Sequence, residues 1–189
     1  MVAATKMLTD NELIQQAKEG SERAFQGLVV RYQQKVAATV IGMLGKSTEA
    51  EDVGQEVFIR FYKSISKFRG DSSLGTYLTR IAINLSINEL KRRKRKRMFS
   101  FFSTQDEEVR ELQIPDTSIS QEQRETQQMV HQAIQKLDPK FRSIILLRLI
   151  EGYSTKETAM ILELPIGTVL SRLARAQKKL KNIVELLNC

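Results

Sequence analysis

Apolar residues recur every three or four positions along most of this sequence, which is the spacing of helices that bury one face. With only 3 Pro and 9 Gly in 189 residues, the composition also favours an all-helical fold. The pattern and its capping residues predict helices over residues 9–18, 21–44, 49–65, 74–97, 123–137, 140–151, 155–164 and from about 166 onward. We therefore expect two small helical domains, at residues 1–97 and 123–189, joined by a linker at 98–122.

The stretch Ser154–Lys179 has the features of a helix-turn-helix. Ser154 and Glu157 have the spacing of a capping box, which satisfies backbone N–H groups at a helix start. Pro165 ends this first helix, because proline disfavours helical dihedrals in the residue before it and is tolerated in the first turn of the next helix. A second helix is therefore predicted from about Ile166.

The second helix of this pair has two different faces. Apolar residues at spacings of four, three and four face inward: Val169, Leu173, Ala176 and Leu180. The outer faces carry hydroxyls and cations that can bond base edges and phosphates: Thr168, Ser171, Arg172, Arg175, Lys178 and Lys179. The pattern is typical of a DNA-reading helix, while an ordinary amphipathic hairpin with solubilising cations fits the same residues.

The third predicted helix carries a strict row of apolar residues four positions apart, which we expect to face the core: Val53, Val57, Phe61 and Ile65. Beside this row lies a strip of carboxylates, an amide and one apolar residue: Asp52, Gln55, Glu56 and Ile59. The strip is either a solvated face or a protein-docking surface, and composition does not separate these two interpretations.

The fourth predicted helix follows a loop at Phe68–Ser73 and runs into seven consecutive cations, Lys91–Arg97. Its apolar face comprises Leu74, Tyr77, Leu78, Ile81 and Leu85. Four polar residues are expected elsewhere on the helix: Thr76, Thr79, Arg80 and Asn84. The seven cations repel one another unless they are solvated or paired with a polyanion. If all seven met DNA phosphates, counterion release would give a log–log salt slope of roughly −6.

The charge is unevenly distributed along the chain. The formal net charge is +8 and the pI is about 9.7, which favours a polyanionic partner without choosing nucleic acid over an anionic membrane. Residues 1–97 carry 18 basic and 10 acidic side chains, residues 98–122 carry 1 and 6, and residues 123–189 carry 11 and 6. Two basic domains therefore flank an acidic linker.

Several classes of protein are disfavoured by what the sequence lacks. Cys189 is the single cysteine, which excludes an internal disulfide and fits a reducing cytoplasm. No run of 18 apolar residues and no signal peptide occurs, so we expect a cytoplasmic protein without membrane insertion. His131 has no metal-ligand pattern around it, so we predict a helix-surface residue, no metal and no cofactor.

Motifs in both halves resemble the extracytoplasmic-function (group IV) sigma factors of the bacterial sigma-70 family. The N-terminal half resembles region 2, with F-x-x-L-V-x-x-Y-Q at 25–33, A-E-D-V-x-Q-E-x-F at 50–58, F-R-G-D-S-S-L-x-T-Y-L at 68–78 and R-I-A-x-N-L at 80–85. The C-terminal half resembles region 4, with L-x-P-K-F-R at 137–142, L-R-x-x-E-G-Y-S at 147–154 and P-x-G-T-V-x-S-R-L-x-R-A at 165–176. Motifs in this order are more specific than a single helix-turn-helix.

The resemblance implies a non-catalytic RNA polymerase subunit that recognises −35/−10 promoters and promotes DNA opening. It implies that the −35 element is met by Thr168, Ser171, Arg172, Arg175 and Lys178. It implies that the −10 element is met by Arg69, Ser72, Ser73, Arg80, Asn84, Asn88, Lys91 and Arg92. It implies docking on the beta-prime clamp helices of core polymerase by Asp52, Gln55 and Glu56, with further contact to the beta flap. The acidic linker would thread through polymerase, and an anti-sigma factor is a common partner in this family.

The sequence departs from the family pattern at four positions. Leu170 and Gln177 stand where the family often has basic residues, which affects the promoter sequence that is read. Tyr77 replaces a common tryptophan, and Asn88 replaces a common aspartate. Two rival hypotheses are a stand-alone helix-turn-helix regulator that binds a two-fold symmetric operator and an enzyme acting on nucleic acid. The second is disfavoured because no nucleophile or metal-ligand motif is recognisable.

Overall fold

The structure, a computed structural model, describes residues 8–100 and 121–188. In these ranges all regular structure is helical: α1 Asp10–Lys18, α2 Glu22–Leu44, α3 Thr48–Ser64, α4 Leu74–Ser100, α5 Gln121–Gln135, α6 Pro139–Ile145, α7 Thr155–Leu162 and α8 Ile166–Leu187. A short 3-10 turn, Ile65–Lys67, follows α3, and a π-helical turn, Leu146–Ile150, follows α6. The all-helical fold class is therefore confirmed. Most of the predicted linker and Cys189 lie outside the described residues.

Side-chain caps set the helix starts in the N-terminal domain. Thr9 and Glu12 form a capping box at α1, and Ser21 and Ser47 each accept a hydrogen bond from a backbone N–H in the first turn of α2 and α3. α2 is followed by Gly45, whose φ of 78° lies in the region that glycine adopts without strain. The helices α1, α2 and α3 that periodicity predicts therefore begin at residues whose side chains cap their first turns.

Helices α1 to α4 enclose one apolar core. Leu28 of α2, Val57 and Phe61 of α3 and Leu78 of α4 are all buried. The Phe61 ring packs edge-on against Tyr77, with 6.0 Å between ring centroids. Full burial of each such side chain contributes about 1.5–3 kcal/mol, so this core holds α3 and α4 side by side.

The C-terminal domain builds a smaller core from α5, α6 and α8. Phe141 and Ile145 of α6 pack with Ala176 of α8, and Leu173 and Leu180 lie partly buried at its edge. The segment expected as a single helix at 140–151 instead changes from α-helix to a π turn. Its last hydrogen bonds join Glu151 N to Leu146 O and Tyr153 N to Leu147 O, at 2.9 Å each. This turn brings Tyr153 to the other domain.

The two domains pack against each other. Leu146, Leu147, Tyr153 and Ile161 of the C-terminal domain join the apolar core of the N-terminal domain. Polar contacts cross the same interface between the domains, which we call the seam. The Thr79 and Tyr153 hydroxyls lie 2.8 Å apart. Thr39 donates to Glu151 Oε1 at 2.8 Å, and the Gln135 amide donates to Gly42 O at 2.8 Å. A buried guanidinium, Arg142, also donates to Met43 O.

The predicted exposure of two threonines on α4 is wrong. Thr76 and Thr79 were expected outside its apolar face, yet Thr79 is 1% exposed and Thr76 is also buried. Thr79 is covered by Tyr153 of the other domain, so the periodicity of α4 alone does not reveal its burial. On the next turns Ala82, Ile83, Leu85 and Ser86 are buried as well. α4 is therefore enclosed on several sides over its first half.

Candidate nucleic-acid interface

The helix-turn-helix predicted at Ser154–Lys179 is formed by α7 and α8. Its capping box is present: Ser154 N donates to Glu157 Oε2 at 2.8 Å, and Glu157 N donates to Ser154 Oγ at 3.2 Å. These hydrogen bonds lower the pKa of the Glu157 carboxyl. In the turn, Glu163 adopts a left-handed conformation with φ of 54°, a feature that the sequence did not indicate because glycine or asparagine is usual there.

α8 is held by two fully buried residues. Val169 and Ala176 have no exposed surface, and Leu173 packs partly buried between them. The opposite side of α8 remains exposed at Ser171, Arg175 and Lys178, while Thr168 and Arg172 are half-buried at its margin. The Ser171 hydroxyl donates to Thr168 O at 3.1 Å, so its oxygen can still accept a hydrogen bond. The five residues proposed for the −35 element thus lie along one helix, and three of them are exposed.

The predicted −10 residues begin in the loop before α4. Arg69 is exposed and pairs with Asp71, with Nη2 to Oδ2 at 3.0 Å. Ser73 caps α4, because its Oγ accepts from Thr76 N at 3.1 Å and lies 2.9 Å from the Thr76 hydroxyl. Ser72 is half-buried. The loop therefore offers one exposed cation, while the Ser73 hydroxyl already serves the helix start.

Along α4, five of these residues are exposed: Arg80, Asn84, Asn88, Lys91 and Arg92. Arg80 forms an ion pair with Glu163 in the turn between α7 and α8. This contact joins a residue proposed for the −10 element to the domain proposed for the −35 element. The sequence could not reveal it because the two residues lie far apart in the chain.

The basic run 91–97 is fully helical, but its cations are not equivalent. Arg93 donates to Leu44 O at 3.1 Å and to Ser47 Oγ at 2.8 Å, and it pairs with Glu49 and Glu89. Arg92 pairs with Glu89 at 2.6 Å. The Glu89 spacing of three and four residues is the sequence signal that could have indicated these pairs. At most five of the seven cations remain for DNA phosphates without breaking an internal contact.

Beyond these contacts, a groove of about 390 Å³ lies between the second half of α4 and the C-terminal domain. Its charged lining comprises three cations and one carboxylate, Lys91, Lys140, Arg172 and Asp138. Ile87, Leu162 and Leu164 provide apolar walls. Lys91 belongs to the predicted −10 set and Arg172 to the predicted −35 set. The packed domains thus bring members of both sets to one groove.

The strip on α3 lies at the surface as expected. Asp52 and Gln55 are exposed, and Glu56 accepts a hydrogen bond from Arg60 Nε at 2.9 Å. Ile59 and Tyr62 add exposed apolar surface to the same helix. Beside the strip, an apolar groove of about 360 Å³ runs between α2 and α3, lined by Val29, Val36, Ala37, Ile41, Gly54, Gln55 and Phe58. The sequence did not reveal this groove, which requires the packing of both helices.

Among the described residues, no helix combines the length and apolar character needed to cross a membrane. In those same ranges, no three His, Cys, Asp or Glu side chains are grouped so that they could hold a metal ion. His131 lies half-buried on α5. The surface features that stand out in the described ranges are thus the cationic and hydroxyl-bearing faces and the two grooves.

Both halves of the chain match regions of one known protein family. Residues 28–96 match Sigma-70 region 2, and residues 127–180 match Sigma-70, region 4. The ECF RNA polymerase sigma-E factor of Escherichia coli is 36% identical over 188 residues, covering 96% of this chain and 97% of that protein. The RNA polymerase sigma-H factor of Pseudomonas aeruginosa is 34% identical over 183 residues, covering 93% and 94%.

Solved structures agree with this assignment. CnrH, solved in complex with the cytosolic domain of CnrY, has a TM-score of 0.65 at 25% identity, covering 94% of this chain and 97% of that one. The sigma factor RpoE of Bartonella quintana, in complex with the anti-sigma factor NepR, shares the fold with a TM-score of 0.69 at 23% identity, covering 85% and 96%. With regions 2 and 4 in order and near full-length relatives, the chain belongs to the ECF sigma factors of the sigma-70 family, which direct RNA polymerase to promoters at transcription initiation.

Proposed function

We propose that this sigma factor divides promoter recognition between α8, which meets the −35 element, and the segment from Arg69 to Arg92, which captures the opened −10 element. The observation that carries the proposal is the two-sided character of α8. Buried Val169 and Ala176 fix the helix, while Ser171, Arg175 and Lys178 stay exposed. Arginine can bond guanine bidentately in the major groove, and lysine can neutralise phosphate.

The −10 assignment rests on the exposed cations and amides of α4 and its preceding loop. Opening DNA costs a few kcal/mol for each base taken from the stack. Hydrogen bonds to captured bases from Asn84 and Asn88, together with phosphate contacts from the basic run, offset this cost. No catalytic group is needed for this process, and we propose that the protein catalyses no reaction itself.

Simultaneous reading of both elements requires the domains to separate. The names of the elements place their centres about 25 base pairs apart, or roughly 85 Å of B-DNA at 3.4 Å per base pair. Lys91 and Arg172 line one groove in the packed chain, which cannot span that distance. We propose that core polymerase holds the two domains apart, at the beta-prime clamp helices and the beta flap respectively.

For polymerase docking we propose the strip of Asp52, Gln55 and Glu56 on α3. Its support is the exposed carboxylate and amide next to an apolar groove, since protein interfaces combine an apolar centre with a polar rim. A cytoplasmic site of action follows from the polymerase partner. The similar structures of CnrH and RpoE contain CnrY and an anti-sigma factor, and we propose a regulator of that class for this chain.

The decisive experiment reconstitutes the protein with core RNA polymerase and sequences the transcript starts from a genomic template. We expect defined starts that share −35 and −10 elements only when both components are present. A stand-alone regulator would instead bind a two-fold symmetric site without polymerase. That outcome would overturn the proposal.

Two variants in the same assay test the site assignments. Arg175→Ala is expected to weaken promoter binding by about 1–3 kcal/mol if this arginine bonds a base edge. Charge reversal at Asp52 and Glu56 is expected to lower affinity for core polymerase in a titration without DNA. If both variants behave as the unaltered protein, the assigned residues are wrong even when transcription is promoter-specific.

A further inference from the structure

Leu170 belongs to an exposed apolar row on α8 that the proposed phosphate and base contacts do not use. Leu170 is 52% exposed and follows the fully buried Val169, so the packing of Val169 holds Leu170 away from the core. Ile166 is likewise 52% exposed one turn earlier, and Ala174 is exposed one turn later. The spacing of four residues places these three side chains in one row.

This row borders the polar face of the helix. Ser171 and Lys178 lie on the exposed surface next to it, and Arg175 follows Ala174 directly. Single exposed apolar residues are common and need no explanation. A row of them beside hydroxyls and cations, however, is complementary to a partner that offers negative charge and an apolar contact together.

Duplex DNA meets both requirements at one kind of base pair. Phosphates pair with the cations, and the 5-methyl group of thymine is the apolar group on the major-groove edges of the bases. Leucine neither donates nor accepts hydrogen bonds. Against the edges of guanine, cytosine or adenine it would leave polar groups dry and unpaired, which is costly.

We propose that Leu170 is a specificity-determining residue that selects thymine in the −35 element by contact with its 5-methyl group. Ile166 and Ala174 extend the apolar contact on either side. This inference rests on the proposed function, because it requires α8 to enter the major groove. It concerns which base is chosen, which the family assignment leaves open.

The test removes only the methyl group from the DNA. Promoters are selected from a randomised −35 library by the reconstituted holoenzyme, and each selected thymine is then replaced singly by deoxyuridine. We expect one replacement to weaken holoenzyme binding roughly four-fold, the value of one buried carbon at about 0.8 kcal/mol. Leu170→Ala should bind thymine and deoxyuridine promoters equally, while Leu149→Ala, which alters a residue of similar exposure off α8, should keep the four-fold difference.

A second variant reverses the preference. Leu170→Arg should shift the selected base toward guanine, since arginine bonds its O6 and N7. If selection yields a promoter but no thymine replacement couples to Leu170, the inference is overturned while the proposed function stands. If the holoenzyme selects no promoter at all, both are overturned.

Discussion

The two candidate DNA-reading helices, α4 and α8, are built on different principles. α8 rests on a narrow buried side, with Val169 and Ala176 inside and its polar side open. α4 is buried over much of its circumference, because the N-terminal core covers Leu78 and the C-terminal domain covers Thr79. One exposed cation on its first half, Arg80, is paired with Glu163.

This difference means that the two helices are not equally accessible to DNA in the packed chain. α8 needs no rearrangement of its own domain to present Ser171 and Arg175. α4 shares its surroundings with the opposite domain, so binding at Arg80 competes with an existing contact.

We expect a buried leucine to stabilise the packing between the two domains beside α4. Leu147 has no exposed surface and belongs to the N-terminal core, whereas Leu149 two residues later is 50% exposed. Leu147→Ala should lower the free energy of unfolding by about 2–5 kcal/mol, as expected for a buried leucine. Leu149→Ala should change it by less than about 0.5 kcal/mol. Urea denaturation of the full chain measures both, and equal losses would contradict the packing described for the seam.

Within the basic run, we expect substitution of Arg93 to lower the stability of the fold and substitution of Arg95 to weaken DNA binding. Arg93→Ala should cost roughly 2 kcal/mol of stability, since hydrogen bonds to charged groups contribute about 1.5–3 kcal/mol, and should leave the salt slope of promoter binding unchanged. Arg95 is exposed, so Arg95→Ala should preserve stability and reduce the slope by roughly 0.9. Urea denaturation and holoenzyme binding over a range of KCl concentrations test the pair. A reduced slope in Arg93→Ala would show that this cation leaves its internal partners for DNA.

Glu151 is expected to make the seam pH-dependent. Burial raises the pKa of its carboxyl above the usual 4.5, against the hydrogen bond from Thr39 and the charge of Lys35, which lower it. An acid with a raised folded-state pKa stabilises the folded chain most below its unfolded pKa, and this contribution declines as the pH rises through the folded pKa. Glu151→Gln should flatten that decline and raise stability at neutral pH by on the order of 1 kcal/mol.

Thermal denaturation between pH 4 and pH 8 tests the Glu151 prediction. Glu157 provides a control of opposite sign, because its capping hydrogen bonds lower its pKa. Its contribution is present above the unfolded pKa and is lost as the pH falls, and Glu157→Gln should remove that loss. A Glu151→Gln profile parallel to that of the unaltered protein would contradict a buried, proton-binding carboxylate.

The smallest effect is expected at the ion pair between Arg80 and Glu163. Glu163→Gln removes the competing carboxylate and should strengthen binding of the free chain to single-stranded −10 DNA by at most about five-fold, since exposed ion pairs contribute about 0–1 kcal/mol. Glu185→Gln makes the same charge change at an exposed pair with Lys181 and serves as the control. Fluorescence anisotropy measures both, and equal gains would assign the effect to net charge alone.

Most helices and the face that α8 presents could be predicted from the sequence alone, whereas the π turn at Leu146–Ile150 could not. Capping residues such as Ser154 and Glu157, the break at Pro165 and the spacing of Val169 and Ala176 act within a few residues, so they can be deduced from local order. The exposure of Ser171, Arg175 and Lys178 followed from the same spacing, and so did that of the strip on α3. Family membership could also be predicted from the sequence, because motifs such as the one at 68–78 are short contiguous segments.

Which of these residues already have partners depends on contacts between distant parts of the chain. Thr79 meets Tyr153, Arg80 meets Glu163 and Arg93 reaches Leu44 O across tens of residues of chain. Periodicity describes one helix against one core, whereas α4 lies between two. The left-handed Glu163 and the groove shared by Lys91 and Arg172 likewise arise from the packing of several elements, so no local pattern could have contained them.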